Sequence, residues 1–244
     1  MARLPTIALL LAGLTCTSAY AAYDVDAGSS ATYASPEEVS VIGSDGWYFS
    51  VAAGIAKASN NVNTVSEVYQ AGFQREAQIS NARYKLGWDA AGAIGYKSGP
   101  IRYEAEVTYI DNKSKNFAID GADVFSPNGS VRDVTGLLNM YYDFDDTGLS
   151  IVPFLGAGLG IVESRVRLNG FVTDEFGFID PLSLNITAHL FAYQATGGFM
   201  FNINNNSAVT LAYRYVASTS SRHLGQRVQE QLGNIAFLYR FDQT

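Results

Sequence analysis

Ile101-Arg102-Tyr103-Glu104-Ala105-Glu106-Val107-Thr108-Tyr109 decides the fold. Ile101, Tyr103, Ala105, Val107 and Tyr109 fall on one face, and Arg102, Glu104, Glu106 and Thr108 on the other. This strict period of two describes an extended strand with one apolar and one polar face. The distribution is inverted for a soluble sheet. Here the polar face carries ionised side chains, which would make a poor apolar core but can fill the narrow interior of an eight-stranded barrel. Tyr103 and Tyr109 sit near opposite ends of the apolar face, where the two interfacial girdles of a membrane barrel would lie.

Working outward, the same alternation recurs in eight segments: 46–57, 84–97, 101–111, 131–143, 150–163, 187–203, 208–217 and 233–241. Outward-facing aromatics are expected at Trp47, Trp88, Tyr103, Tyr109, Tyr213, Tyr215, Phe237, Tyr239 and Phe241. The connections alternate in length. Those at 58–83, 112–130, 164–186 and 218–232 are long, whereas 98–100, 144–149 and 204–207 are short and rich in turn residues. Short turns on one side and long loops on the other are the habit of outer-membrane barrels. The expected fold is therefore all-β: an eight-stranded antiparallel up-and-down transmembrane β-barrel, with short periplasmic turns, long extracellular loops and both termini periplasmic. The run Leu149 to Val162 holds glycines at 156, 158 and 160, which disfavours a helix and suits a strand in crowded surroundings.

The first residues set the compartment. Arg3, the apolar run Ile7 to Cys16 and Ala19-Tyr20-Ala21 form the three parts of a secretory leader, so residues 1–21 are expected to be a signal peptide cleaved near Ala21. The apolar run is well short of the ~20 residues that a membrane helix needs. Cys16 falls inside the leader, which leaves the exported chain without disulfides or thiolate metal sites. Residues 22–45, rich in Ala, Ser and acids, read as a flexible segment ahead of a barrel at 46–241. The net charge of −7 becomes −8 once Arg3 is lost, and without a Lys/Arg cluster this argues against a nucleic-acid partner.

Several pieces resemble the opacity-protein/surface-antigen family of Gram-negative outer-membrane barrels. They are Trp47-Tyr48-Phe49-Ser50-Val51-Ala52-Ala53-Gly54, Gly92-Ala93-Ile94-Gly95-Tyr96, the 101–109 strand, Pro153-Phe154-Leu155-Gly156-Ala157-Gly158-Leu159-Gly160, Tyr193-Gln194-Ala195-Thr196-Gly197-Gly198 and Tyr213-Arg214-Tyr215. The likeness covers roughly 46–241, through short pieces in the right order. It implies an OmpA-type eight-stranded barrel in the bacterial outer membrane, displayed as a surface antigen and tied to adhesion or envelope integrity. Family members end on an aromatic; Phe241 fits, with Asp242-Gln243-Thr244 following it.

Parity places Lys85, Asp89, Arg102, Glu104, Glu106, Arg214 and Arg240 in the lumen as a polar network. Buried charges of nearly balanced sign build a plug more readily than a conduction path. The alternative is a narrow small-solute channel along Arg102, Glu104, Glu106 and Arg214. A second alternative is an outer-membrane lipid hydrolase using Ser221 and His223 with an acid such as Glu230, although nothing marks an oxyanion hole. The favoured reading is not an enzyme. His189 is expected on the outward face near the external rim. Asp143, Asp145 and Asp146 invite a calcium reading, but turn propensity explains them more simply. No His or Cys cluster has ligand spacing and no Gly-rich loop precedes a helix, so neither a metal nor a cofactor is expected. The expected partners are outer-membrane lipid and an extracellular or host surface met by the four long loops, which carry Tyr69, Phe73, Phe117, Phe125, Phe171, Phe176 and Phe178. The stretch from Phe171 to Asp180 reads either as a contact surface or as an extension of the fifth and sixth strands above the membrane.

Overall fold

A computed structural model describes residues 45–59, 64–70, 73–119, 122–145, 151–173, 179–220 and 227–241. The leader, its cleavage site and residues 22–44 lie outside the described residues. Contacts divide the chain after Val39, and every described residue belongs to the unit Ser40–Thr244. Its strands are β1 (Gly46–Ala58), β2 (Thr64–Gln70), β3 (Phe73–Tyr84), β4 (Gly87–Ser98), β5 (Ile101–Ile119), β6 (Ala122–Asp123), β7 (Phe125–Asp143), β8 (Ile151–Thr173), β9 (Ile179–Asn202), β10 (Ser207–Ser218) and β11 (Gln229–Arg240).

Eight of them close a barrel. Antiparallel ladders join β1 to β4, β4 to β5, β5 to β7, β7 to β8, β8 to β9, β9 to β10, β10 to β11 and β11 back to β1. Closure leaves no free edge, the only way a sheet can satisfy its backbone within hydrocarbon. The outward face is apolar: Trp47, Val51, Ile55, Trp88, Tyr103, Val107, Leu138, Leu155, Leu159, Tyr213, Ile235 and Phe237 are all exposed. Ring contacts stitch this face at both ends, with Trp47 on Tyr96, Phe49 on Tyr239 and Phe241, and Trp88 on Tyr109. The Phe241 N–H donates to Trp47 O at 3.0 Å, anchoring the last described residue beside the first strand.

Where they are described, the long connections are largely strand. β8 and β9 reach 23 and 24 residues, whereas ~9–11 tilted residues cross a bilayer. Much of 112–130 and 164–186, expected as loop, is therefore strand; residues 171–173 and 179–180 extend β8 and β9, while 174–178, with Phe176 and Phe178, lie outside the described residues. Within 58–83, β2 and β3 form a hairpin. β3 pairs with β5 from Ile79↔Ile119 to Tyr84↔Ser114, and β2 meets β9 at Tyr69↔Ser183 and Gln70↔Leu182. Since β1, β10 and β11 end lower down, β2, β3, β5, β7, β8 and β9 make a second, six-membered ring above the first.

The two rings have opposite polarity. On β8, Leu155, Leu159 and Ile161 point outward in the lower ring, but Arg165, Arg167 and Asn169 do so in the upper one. The inward face changes in the opposite sense. On β9 it runs from Leu182, Leu184 and Ala188 above to Gln194 and Thr196 below. We take the span with an apolar outward face as the membrane-crossing part: above it the molecule is built like a water-soluble barrel.

Candidate functional site

The lumen is layered. At the periplasmic end Tyr48, Tyr141, Val152, Phe154, Met200, Ala208 and Leu238 form an apolar cluster. Arg102 is embedded in it, its guanidinium carbon 4.9 Å from the Tyr141 ring centre and 5.1 Å from that of Phe154. Its Nε donates to Asp143 at 3.0 and 2.9 Å, and Lys97 Nζ donates to Asp143 at 3.2 Å and to Asp145 at 3.1 Å. Arg240 closes this end, donating to Asn202 Oδ1 at 3.1 Å.

The middle layer is centred on Arg214. It is paired with Glu106, and its Nη2 and Nε donate to Gln194 Oε1 at 2.8 and 3.1 Å. Gln194 in turn donates to Asn139 Oδ1 at 3.1 Å, and Thr108 Oγ1 donates to Glu106 at 2.7 Å. The Tyr48 hydroxyl donates to Glu104 at 3.0 Å, and Asn234 donates to Asp89. Between these groups lies a void of about 50 Å³, room for roughly one or two waters.

Above the network two further apolar clusters fill the bore: Ala56, Ile110, Val216 and Leu232, and Leu137, Val162 and Ala192 with Leu190. Apolar clusters thus flank the charged layer, and the carboxylates of Asp133 and Glu230 are buried in the lumen as well.

Of the residues expected in the lumen, Asp89, Arg102, Glu104, Glu106, Arg214 and Arg240 are buried there, in two separate clusters. Lys85 is not: it is exposed, in the break between β3 and β4. The reason is a bulge. Tyr84 pairs with Ser114 and Trp88 with Asp111, so four steps on one strand face three on the other. One extra residue reverses the parity that placed Lys85 beside Asp89. Asp143 is a further correction. It is no turn residue but a fully buried end of β7, and Asp145 pairs with Lys97; Asp146 lies outside the described residues. Lys97 and Tyr48 went unpredicted. Lys97 shares the parity of Asp89 on β4, a signal that was available.

Among the outward set Trp47, Trp88, Tyr103, Tyr213, Phe237, Tyr239 and Phe241 are exposed, while Tyr109 and Tyr215 are half-buried. His189 is exposed with Nδ1 3.9 Å from Glu163. Ser221 and His223 lie outside the described residues. Glu230, considered as their orienting acid, is buried in the lumen and accepts a hydrogen bond from Asn112 at 3.1 Å.

Residues 50–226 match the model of the surface antigen family. The chain belongs to the surface antigen family. The crystal structure of Neisserial surface protein A superposes with a TM-score of 0.51 at 17% identity, covering 80% of this chain and 97% of that one. Outer membrane protein OprG from Pseudomonas aeruginosa gives 0.43 at 13%, covering 82% and 99%. The attachment invasion locus protein of Yersinia pestis gives 0.40 at 11%, covering 80% and 99%. No curated protein sequence matches this member. At 17% identity the likeness to Neisserial surface protein A shows the fold alone, an eight-stranded outer-membrane barrel.

Glu230 sits above the membrane-crossing part of β11. Burial, and then the charge of Asp133 beside it, push its carboxyl up to about 9. A raised carboxyl favours the folded state fully below the unfolded group's ordinary value, and that contribution is lost as pH climbs towards 9. In detergent, the temperature at which the compact gel band converts to the unfolded one is expected to fall across this window. Glu230→Gln should flatten the profile; an unchanged slope would show that other groups carry it.

Proposed function

We propose that this surface antigen family member is a non-enzymatic outer-membrane anchor whose six-stranded rim attaches the cell to an extracellular surface. One observation carries the reading. Phe125 on β7 and Phe171 on β8 are register partners, 59% and 44% exposed, and Ile179 at the start of β9 is 69% exposed. They lie beyond the charged part of the rim, so lipid has no reason to cover them. Exposed apolar patches in such a place mark interaction sites. The enclosed lumen supports an anchor over a conduit.

The test displays the protein in a non-adherent Gram-negative laboratory strain and counts the cells retained on an epithelial monolayer. Retention above the empty strain is expected, and the double variant Phe125→Ser/Phe171→Ser should lose most of it while keeping its compact gel band. Equal retention by the variant would overturn the rim as the attachment surface. In planar bilayers the wild type should give no stepwise conductance; steps abolished by Glu106→Gln would replace this reading with the channel.

A further inference from the structure

Just above the apolar face, β5, β7 and β8 turn cations outward in register. Lys113, Ser130 and Arg167 form one row, and Asp111, Arg132 and Arg165 the row beneath it. Arg132 and Arg165 are thus direct neighbours across the ladder, a like-charged pairing that costs stability unless an anion joins it. Arg132 Nε donates to Asp111 at 3.0 Å, while Arg165 meets one Glu163 oxygen through Nε at 2.6 Å and Nη2 at 2.5 Å. Their side chains remain 50% and 58% exposed. Lys113 and Arg167 are exposed and form no ion pair among the described residues. Four cations against two carboxylates leave this patch positive, on a chain whose net charge is −7. At the other end of the barrel the cations Lys97, Arg102 and Arg240 are buried in the lumen.

Directly below the patch, the lipid-facing surface is hollowed. Gly92, Ala105 and Gly136 leave the surface low around the outward Val107, 60% exposed between the two glycines, and Ile94, Leu138 and Leu159 border this open groove. A Cβ placed on Gly92 would meet nothing within 4 Å, and on Gly136 only Ile161, at 4.0 Å. Gly136 is four residues below Arg132 on the same strand, about 13 Å along it. We propose that β4, β5, β7 and β8 form a binding site for a phosphate-bearing anionic lipid of the outer leaflet. Its phosphate sits between Arg132 and Arg165, with Lys113 and Arg167 above, and an acyl chain lies in the groove. Guanidinium groups suit the phosphate because their planar forks donate two hydrogen bonds at once. The chain removes the groove's apolar surface from less ordered surroundings.

The full chain in neutral detergent is titrated with dimyristoyl phosphatidic acid, dimyristoyl phosphatidylcholine and inorganic phosphate. The readout is the temperature at which the compact gel band is lost. Phosphatidic acid is expected to raise it saturably, phosphatidylcholine to raise it far less, and inorganic phosphate to leave it unchanged. Arg132→Gln/Arg165→Gln should weaken the phosphatidic acid response by roughly tenfold or more, as loss of charge-assisted hydrogen bonds implies. Gly136→Leu, whose Cβ has open space, should weaken the response measured from that variant's own ligand-free temperature. Equal shifts with both phospholipids, or wild-type affinity in both variants, would overturn the site. A full shift with inorganic phosphate alone would overturn the role of the groove. None of these outcomes bears on attachment by the rim.

Discussion

Arg214→Met is expected to lower the unfolding free energy of the barrel in lipid vesicles by about 3–5 kcal/mol, the usual cost of removing one partner of a buried ion pair. Arg214 and Glu106 are only 4% and 6% exposed, inside a layer capped by apolar clusters. Without the guanidinium, Glu106 retains donors from Thr108 and Asn139 but no opposing charge, and the Gln194 carbonyl loses both of its Arg214 donors. Urea titration of vesicle-inserted protein measures the loss. Adding Glu106→Gln to the variant should recover a large part of it, because the orphaned charge, more than the missing hydrogen bonds, sets the penalty. A loss below about 1 kcal/mol, the range of exposed pairs, would mean that water reaches the site and screens it.

Gly95→Leu should prevent assembly of the compact form altogether. Tyr48 on β1 lies over its register partner Gly95 on β4 and reaches Glu104 on β5 with its hydroxyl. A Cβ on Gly95 would fall inside contact distance of the Tyr48 ring and hydroxyl, and of the Tyr103 carbonyl. Gly95→Ala alone is expected to cost about 1–3 kcal/mol, as overpacking of a dense interior usually does. Leu adds three more carbons where the neighbouring backbone, closed into a barrel, cannot withdraw. Tyr48→Ala should restore some folded protein to the Gly95→Leu chain by vacating the same space. If Gly95→Leu shows a normal compact band by itself, Tyr48 is more mobile than its burial implies.

Alternation made the membrane-crossing part of this molecule legible. A side chain on a strand points either to lipid or to the lumen, so Ile101 to Tyr109 reveals both environments in nine residues. The parity of loop lengths added the strand count. The extent of the strands was harder to read, because polarity reverses where the barrel leaves the membrane. On β8 the outward Ile161 is followed by the inward Val162, and on β9 the inward Leu190 by the outward Phe191. Two adjacent apolar residues look like the end of an alternating segment, although the backbone continues unchanged into the upper ring. Lys85 failed for a different reason, the bulge beside it, which no periodicity announces.

The attachment surface and the lipid site divide in the same way. Single residues such as Phe125 and Phe171 stand out in the sequence, but their direct pairing across β7 and β8 follows from register alone. Arg132 and Arg165 are separated by 33 positions and carry no motif. What the sequence by itself determined is which environment each barrel side chain meets, since period-two burial is a local property of an extended chain. Only the tertiary structure decided which charges meet in the lumen, how the β2–β3 hairpin completes the upper ring, and which cations converge over the Gly92–Gly136 groove. Those outcomes depend on the register between strands distant in sequence, and closure of the sheet sets that register for all the strands together.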